Sequence, residues 1–315
     1  MKLKCRNWLL VFPVVIAWFA ISCSDKSDDT PEEKGLPEVV ATSTMVADMV
    51  RTIAGDDLKV IAMMAPGVDP HTYEPPARVY SDLRLADAII YNGLHLEGKM
   101  TESFESQGDK TLALTDNLPS DRLISPENID EKYGDPHIWG DASLWALSIP
   151  TVVAKLSEIN PEMKAEFEAR GAAYQKEVTA LNEWIISRIN EIPEANRILI
   201  TSHDAFSYFG KAYGVQVIGV QGISTVDEPS GADILNTIDL IKDKGVKAIF
   251  PESSVSPAVI QRISKDSKVT VGETLFSDSC GPLGEMESRN GETYDLGTYI
   301  GMMKHNVNAM VAALK

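Results

Sequence analysis

The sequence has few cysteines and lacks the short motifs that mark the common hydrolases and nucleotide-binding enzymes. Only three cysteines occur in 315 residues, and no two of them form a CxxC pair. The His-Glu-x-x-His zinc-protease helix and the Gly-x-Ser-x-Gly nucleophile elbow do not occur in the sequence. The complete phosphate loop, Gly-x-x-x-x-Gly-Lys-Ser/Thr, is also absent, because the run Gly93–Lys99 is followed by Met100. Dithiol redox chemistry and these three hydrolytic classes therefore have no support.

Positive charge is also scarce. The chain has 29 lysines and arginines against 46 aspartates and glutamates, which gives a formal net charge of −17 at pH 7. Such a charge repels the phosphate backbone, so we expect no nucleic-acid partner. The remaining composition, 44% hydrophobic and 24% charged, is ordinary for a globular protein.

The N-terminus predicts a lipoprotein signal peptide over residues 1–22. A basic start is followed by a short apolar run, Trp8–Ile21, which is too short for a comfortable membrane span. Small residues then precede Cys23, as at the site where bacterial lipoproteins are cleaved and diacylated, although leucine is usual where Ala20 stands. The alternative is ordinary signal cleavage, in which Cys23 would be incidental.

Residues 23–37 predict a lipidated, acidic tether that stands the folded part off a membrane. The stretch contains almost nothing that could be buried. We expect an exported protein, anchored to the cell membrane or the outer membrane and facing the periplasm or the exterior. Cys5 would leave with the signal peptide and Cys23 would carry lipid, so only Cys280 would remain as a free cysteine in the mature domain. No internal disulfide is therefore expected.

The rest of the chain predicts an α/β fold in two lobes, each a parallel β-sheet with flanking helices. Strands alternate with helices over residues 38–159 and again over 194–315. Between them, residues 160–193 predict one long linking helix. Its start has the capping pattern Asn160-Pro161-Glu162, and its apolar residues recur every three or four positions.

Four residues in strand-end loops are candidate ligands of one metal ion. His71 lies in a proline-rich turn over residues 66–76, and His137, His203 and Asp278 lie in later loops. The gaps of 66, 66 and 75 residues mean that the four can meet only through tertiary folding. Open α/β sheets place their binding sites at such strand ends, so we expect the four residues to share one centre.

Three imidazoles and one carboxylate suit a divalent first-row transition ion. Zinc would accept them as a four-coordinate site, and bidentate binding through the carboxylate would admit manganese or iron. Magnesium and calcium want mostly oxygen ligands and are disfavoured. Asp135, Asp204 and Glu252 are candidates for carboxylates that orient the imidazoles. A thiolate from Cys280 is conceivable, but we expect a reduced bystander.

Two further histidines are not expected to be ligands. His95 is expected to order the start of a helix, and His305 is expected to face water on the last helix. Residues 280–296, between Asp278 and that helix, are predicted to be an irregular, glycine-rich insert.

Several motifs together resemble the metal-binding lipoproteins of bacterial ABC importers for manganese, zinc or iron, the solute-binding protein 9 family. They run in order from about residue 38 to the C-terminus, and as a set they are highly specific. The matching stretches are Gly67-Val68-Asp69-Pro70-His71, Tyr91-Asn92-Gly93-Leu94-His95-Leu96-Glu97, Asp135-Pro136-His137-Ile138-Trp139, Ser202-His203-Asp204-Ala205-Phe206, Gln221-Gly222-Ile223-Ser224-Thr225, Phe250-Pro251-Glu252-Ser253-Ser254, Leu275-Phe276-Ser277-Asp278 and Gly297-Thr298-Tyr299-Ile300-Gly301-Met302.

This resemblance implies two lobes bridged by one long rigid helix. It implies one metal in the cleft between the lobes, held by His71 and His137 from the first lobe and by His203 and Asp278 from the second. It implies a monomer that is not an enzyme and that delivers the ion to a membrane permease driven by an ATPase. Two departures stand out. The stretch after Asp278 is longer than usual, and residues 118–134 lack the histidine-rich loop of many zinc-specialised members, so the pattern resembles members that bind both manganese and zinc.

Two alternatives stay open at this point. An exported zinc metallohydrolase would use the same centre with a metal-bound water, although the motifs supply no clear general base. A surface adhesin with a structural metal is suggested by names in the family, but no repeats or stalk support it.

Overall fold

A computed structural model of the chain describes residues 35–125 and 133–315. The predicted signal peptide, Cys23 and most of the predicted tether lie outside these residues. Within the described ranges, no helix has the length and hydrophobicity that crossing a bilayer requires.

The first half of the chain builds one parallel sheet. Its four strands lie in the order β2-β1-β3-β4, and every neighbouring pair is parallel. The two inner strands are buried along most of their length because helices cover both faces. The elements are β1 (Glu38–Ala41), α1 (Thr44–Ala54), β2 (Lys59–Ala62), α2 (Ala77–Leu85), β3 (Ala88–Tyr91), α3 (Thr101–Glu105) and β4 (Thr111–Ala113).

The second half repeats this arrangement. Two parallel pairs, β5–β6 and β7–β8, are joined by a parallel bridge between Thr201 and Phe250, which extends the order β6-β5-β7-β8. The elements are β5 (Ile198–His203), α6 (Ser207–Tyr213), β6 (Gln216–Gln221), α7 (Gly231–Lys244), β7 (Ala248–Ile249), α8 (Ala258–Ser267), β8 (Thr270–Val271), β9 (Met286–Arg289), β10 (Glu292–Asp295) and α9 (Tyr299–Leu314), with α4 (Ala142–Ile159) and α5 (Lys164–Ile189) between the halves.

The long linking helix is α5, whose 26 residues span about 39 Å. Its predicted apolar stripe is buried, and it packs against α1 of the first half and α9 of the second. One apolar cluster joins these helices with α4, so the two halves share a core. Residues 36–315 accordingly form one compact unit, and the lobe boundaries 38–159 and 194–315 stay predictions.

Helix α4 was not predicted from the sequence. Asp141 caps it, because its Oδ1 accepts from the backbone N–H of Ser143 (2.9 Å) and Leu144 (3.2 Å). Pro150 lies inside the helix. Surface helices are recognised by apolar residues that recur on one face. Helix α4 lacks this pattern, because it is apolar on several sides, includes the fully buried Trp145 and has a proline in its interior.

The prediction of an irregular insert over residues 280–296 is wrong for its second part. There β9 and β10 pair as an antiparallel hairpin. Asn290 and Gly291 form its turn with φ values of 53° and 80°, as an Asn-Gly hairpin turn requires. The prediction that His305 faces water is also wrong, because the hairpin covers it: its Nδ1 lies 2.6 Å from Glu287 Oε2.

Asp48 on α1 links the two halves and generates a testable stability prediction. Its Oδ2 accepts from the backbone N–H of Tyr299, at the start of α9 (2.9 Å). Burial raises its pKa from 3.8 to about 6, so ionised Asp48 disfavours folding. Protonated Asp48 therefore gives the folded state its full stability below pH 4. This contribution to the free energy of unfolding is lost as the pH rises through 6.

We expect Asp48→Asn, which retains an oxygen acceptor for Tyr299, to be about as stable as wild type at pH 4. At pH 7.5 it should be more stable by up to about 3 kcal/mol. Urea unfolding of both proteins with chelator present, at several pH values, measures the difference. A difference that does not change with pH would contradict the prediction.

Candidate metal site

His71 lies in a loop that is stabilised by its own internal hydrogen bonds. The loop follows β2, and Gly67 within it has a φ of 77°, which favours glycine. Asp69 closes a local turn: its Oδ1 accepts from the backbone N–H of His71 (2.9 Å) and its Oδ2 accepts from Thr72 Oγ1 (2.8 Å). The His71 side chain is therefore placed by backbone geometry before any metal is considered.

His137 is held by a carboxylate two residues before it. Asp135 Oδ1 accepts from the His137 backbone N–H (2.9 Å) and lies 2.7 Å from its Nδ1. The amide of Asn92 donates to the Pro136 carbonyl (2.9 Å), which ties this loop to the end of β3. Because Nδ1 faces Asp135, Nε2 is directed to the centre of the site.

His203 and Asp278 come from the second half. His203 is the last residue of β5; Glu252 Oε1 accepts from its backbone N–H (2.8 Å), and Oε2 lies 2.5 Å from its Nδ1. Asp278 follows β8, and its Oδ2 accepts from Ser254 Oγ (3.0 Å). The indole N–H of Trp139 donates to the Ser277 carbonyl (2.9 Å), so the first half also supports the Asp278 loop.

The four candidate ligands meet in one buried centre. One donor atom from each of His71, His137, His203 and Asp278 can be chosen so that all lie within 4.8 Å of one another. The Nε2 atoms of His71 and His137 are 3.3 Å apart, and Asp278 oxygens lie 3.4 Å from His137 Nε2 and 3.3 Å from His203 Nε2.

This centre fits a transition-metal ion by an independent criterion. His203 Nε2 and Asp278 Oδ1 are buried and form no hydrogen bond with any described residue. Buried polar atoms without partners are costly, and a cation at the centre would satisfy both. Three nitrogen donors and a carboxylate are the set that zinc, manganese and iron accept.

The three imidazoles of the site differ in the direction of their pKa shifts. Burial lowers the pKa of His71 to about 3, so this imidazole is neutral and can bind a metal. Burial alone would also lower the pKa of His137, but Asp135 and Asp278 outweigh it and raise the pKa to about 9. Glu252 and Asp278 likewise raise the pKa of His203 despite its burial. The negative field that holds these protons would also attract a cation.

Two of the three predicted orienting carboxylates touch an imidazole, namely Asp135 and Glu252. Asp204 does not show that contact: its Oδ1 accepts from Ser207 Oγ (2.7 Å), at the start of α6. Cys280 is a buried free cysteine, and burial raises the pKa of its thiol well above the usual value, which opposes a thiolate ligand.

The sequence reasoning missed Ser254, which bonds Asp278, and Asn92, which ties the His137 loop. Ser254 lies two residues after Glu252, in the same strand-end loop. That position is the sequence feature that could have indicated a role in the site.

The contacts predict different outcomes for two acid-to-amide changes. Glu252→Gln removes the charge against His203 Nδ1, so zinc affinity should fall about 10- to 100-fold. Asp204→Asn is the matched control and should change it far less, because that side chain bonds Ser207. Competition with a chromophoric chelator measures both affinities, and equal losses would contradict the assignment.

Comparison with known proteins identifies the family. The family described as zinc-uptake complex component A, periplasmic (ZnuA) matches residues 39–313. The manganese-binding lipoprotein MntA of Bacillus subtilis is 36% identical over 314 residues, covering 97% of this chain and 99% of the relative. The periplasmic zinc-binding protein TroA of Treponema pallidum has a solved structure with a TM-score of 0.83 and 37% identity, covering 89% of this chain and 99% of that one.

The structure of Fe(III)-bound YtgA from Chlamydia trachomatis is also similar, with a TM-score of 0.74, 25% identity and coverage of 88% of this chain and 98% of that one. These names include manganese, zinc and iron, the ions that suit the donor set found here. The match of the family over nearly all of the described chain, together with the buried His/His/His/Asp centre, shows that this protein belongs to the ZnuA family of metal-binding proteins.

Proposed function

We propose that this protein captures one divalent transition-metal ion outside the cytoplasm and delivers it to the permease of an ABC importer. His71, His137, His203 and Asp278 are the proposed ligands. The observation that carries the proposal is their convergence in one buried centre from loops up to 207 residues apart in sequence. The ion is the cargo, and the relatives named as metal ABC transporter substrate-binding lipoproteins support this role.

The donor set defines the class of cargo. Imidazole nitrogens favour zinc, and the Irving–Williams order predicts that zinc binds more tightly than manganese in vitro. The relatives' names give manganese for MntA and zinc for TroA, and one similar structure holds iron. We therefore propose a site that accepts both zinc and manganese, so that the supply in the cell decides which ion is loaded.

The proposed location rests on the N-terminal sequence and on the relatives. Several relatives are named as lipoproteins, and Cys23 follows small residues at the end of a signal-like segment. We propose that Cys23 carries the lipid and that the mature protein works as an anchored monomer with the permease and its ATPase. An outer-membrane location is an alternative to the cell membrane.

An enzymatic role is not proposed. The relatives are substrate-binding proteins of importers, and the carboxylates nearest the imidazoles, Asp135 and Glu252, each contact a ligand's Nδ1. They are thereby engaged in orienting the imidazoles.

The test is metal titration of the full-length protein, purified in detergent and stripped with chelator. We expect one zinc or one manganese per chain, with the two ions competing for the same site. Loading at about 1,000 times the dissociation constant should stabilise the fold by about 4 kcal/mol, visible as a higher melting temperature.

His71→Ala should abolish tight binding, because it removes one of four donors without unpacking the core. His95→Ala is the matched control, since His95 lies outside the group of four, and it should bind normally. Full affinity in His71→Ala would refute the site assignment, and no tight binding of either ion by wild type would refute the proposed function.

A further inference from the structure

The loop that carries His71 is joined to the opposite half of the protein by a hydrogen bond between two side chains. Thr225 Oγ1 donates to Asp69 Oδ2 at 2.6 Å. Asp69 is the same carboxylate that accepts from the His71 backbone N–H and from Thr72. One side chain therefore sets both the position of His71 and the separation between its loop and the loop after β6.

Thr225 is presented by a loop with its own internal order. The side-chain amide of Gln221, the last residue of β6, donates to the carbonyls of Ser224 and Asp227. Ser224 Oγ also accepts from the backbone N–H of Val226 (3.3 Å). The Thr225 hydroxyl thus reaches Asp69 from a loop whose backbone is already held.

This contact lies at the outer side of the metal site. His71 is 6% exposed, whereas His137 and His203 are 0% and Asp278 is 1% exposed. A cavity of about 320 Å³ lies on the same side, lined by Asp69, Thr72 and Thr225 among others, and Ser254 at its wall bonds Asp278. The cavity therefore extends from the Asp69–Thr225 contact to a residue that touches a proposed ligand.

A second hydrogen bond joins the start of the His71 loop to the other half. The backbone N–H of Gly67 donates to Ser279 Oγ (2.9 Å), and Ser279 is buried next to Asp278. The exposed start of the loop is therefore held by a buried hydroxyl of the other half. The segment that carries His71 depends on the half-buried Asp69–Thr225 contact for its side-chain bond to the other half.

We propose that Thr225 is a positioning residue that acts through Asp69 as a latch on ion release. While the hydrogen bond is formed, it holds His71 over the ion and keeps the two loops closed beside the cavity. When it breaks, His71 can withdraw with its loop and the ion can leave through the cavity. This inference rests on the proposed function, because it needs an ion at the four ligands.

The test uses full-length protein in detergent, loaded with zinc, and measures the rate of zinc transfer to excess EDTA. Thr225→Val removes the hydroxyl while keeping the shape of the side chain. Because a hydrogen bond to a carboxylate is one of the stronger kinds, we expect release to become about tenfold faster or more. Thr225→Ser, which restores the hydroxyl, should release zinc at a rate near that of wild type.

Ser224→Ala is the matched control for a general loosening of the loop, since it removes a bond within the loop and none to Asp69. Its release rate, and the melting temperatures of all metal-free variants, should stay near those of wild type. Wild-type release from Thr225→Val, or equal acceleration by Ser224→Ala, would overturn the latch alone. Absence of metal binding by wild type would overturn both the latch and the proposed function.

Discussion

The structure depends on the burial of three imidazoles and a carboxylate around one point. Polar groups in a protein interior are unfavourable unless each finds a partner. On their outer sides the partners are supplied: Asp135 and Glu252 face two imidazoles, and Ser254 bonds Asp278. On the inner side the imidazole nitrogens and the Asp278 carboxylate face one another, and a metal ion that displaces the imidazole protons can bind them together.

The fold supplies this arrangement through repetition. Both halves have the strand order 2-1-3-4 within their own numbering, and in parallel sheets the carboxyl ends of the strands lie along one edge. Each half contributes two proposed ligands from loops beyond such edges. The halves also share an apolar core through α1, α4, α5 and α9, which opposes their wide separation. Changes in the shape of the site are therefore expected in loops, such as those that carry Asp69 and Thr225.

Charge within the site is balanced over short distances. The carboxylates that orient His137 and His203 also raise the pKa values of these imidazoles, so the metal-free site retains protons there. A metal ion must displace those protons, which couples loading to proton release. Asp135 and Glu252 therefore both hold the geometry and create the field that attracts a cation.

Local sequence patterns predict the alternation of strands and helices, the buried stripe of α5 and the four residues that meet in the site. These follow from local rules: hydrophobic period, capping, and polar residues placed at strand ends. The Asn290-Gly291 pair is also a local signal, typical of the turn in the β9–β10 hairpin.

Which polar residues contact one another depends on the packing of distant parts of the chain. Asp204 lies next to His203 in sequence but bonds Ser207, whereas Glu252, 49 residues away, reaches the imidazole of His203. Helix α4 likewise depends on burial against other helices, which overrides an internal proline. Contacts of this kind depend on how distant loops pack together, and a periodic pattern along the chain does not encode that.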